Sequence, residues 1–79
     1  MAQLENLLLI LACSLVDEPE KVEVSGTESD SRVELELRVA PDDMGRVIGR
    51  QGRTIRAIRT VVKAASVKAG KRVSVEVLD

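Results

Sequence analysis

The sequence predicts a two-layer α+β domain, one sheet with helices on a single face. Three observations predict it. Three segments alternate apolar and polar residues with period two, so each has a buried and a wet face. Between and before them, apolar residues recur at helical spacing. A sheet wet on one side needs helical cover on the other side only. A chain of 79 residues makes one domain with a thin core. We expect residues 1–79 to be that domain, with an N-terminal helix and first strand at about 2–25 and the core motif at about 31–79.

Leu4, Leu7, Leu8, Leu11 and Leu15 place an amphipathic helix over residues 2–16. Leu9, Ala12 and Val16 add a second apolar stripe. Glu5 is the only charge before Asp17, so this helix wants cover on most sides, from the domain or from a second subunit. Asp17-Glu18-Pro19 ends it, since Pro cannot continue a helix. Val22 and Val24 alternate with Lys21 and Glu23 in a first strand. Residues 25–31 read as a polar loop. Val33, Leu35, Leu37 and Val39 alternate with Glu34, Glu36 and Arg38 in a second strand. Ala40-Pro41-Asp42-Asp43 has the marks of a helix start, giving a short helix over 42–48. A longer helix opens near Gly52, with Ile55, Ile58, Val62 and Ala65 inward and Arg56, Arg59 and Lys63 together on another face. Gly70 caps it. Val73, Val75 and Val77 alternate with Ser74 and Glu76 in the last strand. The order is helix, strand, strand, helix, helix, strand.

Composition narrows the chemistry. There is no aromatic residue, no His and one Cys. That removes most catalytic and metal-site chemistry, so we expect no enzyme, no metal and no cofactor. Cys13 has no partner for an internal disulfide, which suits a reducing cytoplasm. The apolar run from Leu7 to Ala12 lacks the basic leader of an export signal and is far too short to span a bilayer. We therefore read the chain as cytoplasmic, with no membrane partner. The net charge of −1 hides a division: residues 1–43 carry 11 acidic and 3 basic side chains, and residues 44–75 carry 9 basic and no acidic ones. One face is thus suited to an anion.

The informative stretch is Gly45-Arg46-Val47-Ile48-Gly49-Arg50-Gln51-Gly52-Arg53-Thr54-Ile55. Two glycines bracket two polar residues between two helices. Such a loop turns tightly and lets a ligand backbone come close. The helix start after Gly52 favours an anion, and Arg46, Arg50 and Arg53 add positive charge. A nucleotide-binding P-loop would need Lys-Ser or Lys-Thr after the glycines, and a Rossmann turn would need Gly-x-Gly after a strand; neither is present. A plain helix–turn–helix corner is the bland alternative for a bare Gly-x-x-Gly.

With Val47-Ile48 before the glycines and a basic helix after them, the stretch resembles the signature of KH domains. The helix and strand ahead of the strand-helix-helix-strand core look like the type II arrangement, three helices on one face of a three-stranded sheet. Residues 37–45, 57–65 and 71–76 further resemble the small single-domain KH proteins of bacteria, the KhpA family. The resemblance implies a clamp of Gly49, Arg50, Gln51 and Gly52 that holds about four nucleotides of single-stranded RNA. Arg53, Arg46, Ile48 and Arg56 stand beside it as binding residues. Val39 and Ile55 are candidates for an aliphatic groove that holds bases without aromatic stacking. It also implies an RNA-chaperone role, a homodimer, and a heteromer with KhpB, a larger KH protein, in post-transcriptional regulation linked to cell length and peptidoglycan homeostasis. The main rival is an interaction scaffold, a KH dimer or heterodimer in which RNA binding is secondary. A duplex DNA reader is disfavoured by the three strands.

Overall fold

The alternation at residues 33–39 becomes the middle of the sheet. In the computed structural model, which describes residues 2–78, α1 (Ala2–Cys13) leads to β1 (Glu23–Glu28), β2 (Arg32–Arg38), α2 (Met44–Ile48), α3 (Arg53–Lys68) and β3 (Arg72–Leu78). Single 3-10 turns lie at Pro19–Lys21, Pro41–Asp43 and Arg50–Gly52. The strand order is β1-β2-β3. β1 runs antiparallel to β2, and β3 runs parallel to it. A parallel pair cannot be joined by a hairpin, so α2 and α3 form the crossover.

Val33, Leu35 and Leu37 of β2 are buried, while Glu34, Glu36 and Arg38 face solvent. Against the buried row pack Leu4, Leu8 and Ala12 of α1, Val47 of α2, and Ile55, Ile58 and Val62 of α3. The core is wholly aliphatic. Each buried Leu or Val contributes about 1.5–3 kcal/mol relative to exposure. The element order and the single helical layer agree with the fold expected from periodicity.

Four local readings need correction. The first helix stops at Cys13, short of residue 16. There the Ser14 hydroxyl donates to the Ile10 and Leu11 carbonyls, and the Leu15 N–H bonds to the Ala12 carbonyl in a tighter turn. Leu15 is thus left exposed, and Ala12 takes the buried position. The polar loop over 25–31 shrinks, because β1 continues to Glu28 and pairs through Glu28 with Val33. Polar residues extend a strand readily when one face is wet. The helix expected over 42–48 splits into a 3-10 turn and α2. On α3, Ala65 is only half-buried and Ser66 fills the inner position, its hydroxyl donating to the Lys63 carbonyl at 2.8 Å.

Candidate nucleic-acid interface

α2 ends at Ile48, where the Gly49 N–H closes onto the Gly45 carbonyl at 2.9 Å. Gly49 then takes φ 76°, ψ 172°, a conformation that only glycine adopts without strain. A Cβ there would also lie 2.1 Å from Thr54 Oγ1 and 2.8 Å from the Thr54 amide nitrogen. The position is glycine for two separate reasons, backbone and neighbour. Gln51 follows at φ 57°, the one non-glycine residue with positive φ among those described, and Gly52 sits at φ 75°. Gln51 is held there by Arg56, whose Nη2 donates to the Gln51 carbonyl at 2.8 Å. Arg56 thus braces the loop from within α3.

The loop opens directly into the first turn of α3. Its N-terminal residue Gly52 offers no side-chain cap, and no acidic residue lies in that turn. The first amides of a helix have no carbonyl partner within it and carry the positive end of its dipole. Arg50 and Arg53 flank them, both exposed. The Gly52 and Arg53 amides bond to the Gly49 and Arg50 carbonyls; a fixed glycine turn, a helix start without capping or acidic side chains, and two exposed cations are an arrangement suited to an anion.

From this seat the basic face of α3 runs toward the sheet. Arg59 donates through Nε to the Val75 carbonyl at 3.1 Å, on the strand edge that β2 leaves unpaired. A groove of about 310 Å³ lies beside it, lined by Arg59, Lys63, Val73, Ser74 and Val75. The sequence put Arg56, Arg59 and Lys63 on one helical face but gave no sign that this face meets the edge of β3.

The remaining candidates fall in different places. Ile48 is half-buried beside the glycine turn. Val39 and Ile55, at 3% and 5% exposure, belong to the core cluster and leave little surface for a base. Arg46 is engaged by acids: its Nη2 lies 3.0 Å from Asp17 Oδ2 and its Nε 3.8 Å from Asp43 Oδ1. Asp43 was legible only as an acidic helix start, yet it is one of the two buried polar residues of the described fold. Thr54, which packs on Gly49, had no local signal at all.

Comparisons with known proteins bear on the family and the fold. The family model described as the KhpA/KhpB KH domain matches residues 5–77. An RNA-binding protein KhpA of Clostridium acetobutylicum is 55% identical over 75 residues, covering 95% of this chain and all of that one. The RNA-binding protein KhpA of Aquifex aeolicus is 44% identical over the full length of both chains. That of Bacillus subtilis is 45% identical over 96% of this chain and 94% of its own. Among solved structures, a single-residue variant of Aquifex aeolicus Era bound to GDP and aluminium fluoride superposes with a TM-score of 0.69. It is 17% identical, over 95% of this chain and 29% of that one, a likeness of fold.

Proposed function

The chain belongs to the KhpA/KhpB KH-domain family, and from that premise we propose that it is an RNA-binding protein that clamps single-stranded RNA with Gly49, Arg50, Gln51 and Gly52. One observation carries the reading: the glycine turn delivers an uncapped, acid-free helix start between two exposed arginines. The turn receives the phosphodiester backbone, and the face of Arg56, Arg59 and Lys63 leads the strand toward the groove at β3. Bases there meet aliphatic carbons and backbone rather than rings, so sequence preference is modest. A single short clamp binds weakly. This supports a paired assembly, in which a second clamp raises affinity through effective concentration.

Leu9, Ile10 and Leu15 are exposed on or just after α1, Ile10 at 66%. They support a homodimer, or a heteromer with a larger KhpB-like KH protein; kinship with the KhpA/KhpB family is what supports an RNA-chaperone role in post-transcriptional regulation linked to cell length and peptidoglycan homeostasis. The clamp is tested by fluorescence anisotropy of a labelled short single-stranded RNA against the parent and an Arg50→Asp, Gln51→Asp double variant, with circular dichroism to show folding. Binding by the parent alone supports the clamp. Equal binding by both rejects it.

A further inference from the structure

α2 spans five residues, too few to hold a helix in place by itself. Ties to the rest of the fold must set its position. One tie is its apolar face: Val47 is wholly buried, and Met44 and Ile48 pack half-buried against the core. Apolar packing is non-directional, and the glycine turn hangs from the far end of this helix. The second tie is Asp43, immediately before the first residue of α2. Its side chain is buried and does not cap its own helix, the usual task of an acid at that position. Instead Oδ1 accepts from the Asp17 N–H and Oδ2 from the Glu18 N–H, each at 3.1 Å. A buried carboxylate is costly unless both oxygens are satisfied, and here both are. The donors belong to the connector between α1 and β1, 26 and 25 residues away in sequence. Arg46 straps the same junction from outside, reaching Asp17 as well as Asp43.

We propose that Asp43 is the positioning residue of the RNA clamp, locking the start of α2 to the connector after α1, and that Arg46 serves this lock rather than a phosphate. The inference rests on the clamp reading above. It gives the acidic first half of the chain a part in RNA binding without contact to RNA.

The test compares the parent with Asp43→Asn, Arg46→Gln and, as a core-cavity control, Val62→Ala. Amide spectra are recorded for each free protein, and each is titrated with a labelled oligouridine at several salt concentrations. Asp43→Asn and Arg46→Gln are expected to move the signals of Gly49 to Gly52 and to weaken binding at least threefold. The slope of log affinity against log salt should stay unchanged, because no phosphate contact is lost. Val62→Ala, destabilised without touching the lock, should leave the loop signals in place. Loop signals at parent positions in Asp43→Asn would overturn the proposal. So would a fall of about 0.7 in the salt slope of Arg46→Gln, the mark of one lost phosphate contact. If Asp43→Asn does not fold, Arg46→Gln decides, since its side chain is exposed. If the parent binds no RNA, the spectra still decide the lock while the clamp reading fails separately.

Discussion

The two ends of α3 are both turned by glycine with positive φ, yet they are built for opposite purposes. At the C-terminal end Gly70 has φ 72°, and the backbone donors beside it are closed: Gly70 N–H bonds to the Val67 carbonyl and Lys71 N–H to the Ser66 carbonyl. An ion pair from Lys71 to Glu28 ties this end to the last residue of β1. At the N-terminal end Gly49 and Gly52 turn the chain, and the Gly52 and Arg53 N–H groups close onto the Gly49 and Arg50 carbonyls, but no side chain caps the helix start and no acid lies in its first turn. A turn that completes its own hydrogen bonds is architecture. A turn flanked by exposed cations, with neither a capping side chain nor an acid at the helix start, is the one the proposed clamp assigns to a ligand.

That contrast breaks most sharply at Gly49. Gly49→Ala adds a Cβ against Thr54 and forces a glycine-only backbone on alanine, a cost of about 1–3 kcal/mol from conformation alone. Urea melts should show the loss, and RNA affinity measured by anisotropy should fall more than tenfold in whatever fraction remains folded. Next comes the Arg50→Asp, Gln51→Asp double variant, expected to lose binding at least tenfold while its urea midpoint stays near the parent's. A matched loss of stability would mean that the loop is structural, like the other end. Gly70→Ala is the reverse case. A Cβ there meets nothing within 4 Å, so only the left-handed backbone is strained, at about 1 kcal/mol. The melt should shift and RNA affinity should not. Among the variants expected to weaken binding, the smallest loss comes from Arg53→Gln, with affinity down severalfold and the salt slope reduced by about 0.7. An unchanged slope would remove Arg53 from the phosphate seat.

The same two ends show what was legible in the sequence. Gly70 and the glycine pair were readable because turns of this kind depend on residues three or four apart. The alternation of Val33, Leu35 and Leu37 gave the central strand for the same reason. What escaped was set at longer range. The carbonyl partner of Arg59 is 16 residues away, on β3, and the donors to Asp43 are 25 and 26 residues away. No periodicity encodes such pairs. The end of α1 was misplaced because Leu15 keeps the helical spacing while the Ser14 hydroxyl competes for the helix carbonyls. Arg46 looked like its neighbours Arg50 and Arg53, since charge alone does not say which anion a cation faces.

The parallel pairing of β2 with β3 carries a kinetic consequence. Val33 lies beside Val73, and the chain between them contains α2, the glycine turn and the whole of α3. Helix α1 and the β1–β2 hairpin can form from local contacts early in synthesis, but this pair must wait for residues past 70 and then close a long loop. The frame that holds the glycine turn is therefore completed last. A nascent or partly unfolded chain that has lost β3 loses the carbonyl that anchors Arg59 along with it, so on the proposed clamp reading competence to grip a strand would arrive and depart with that edge of the sheet.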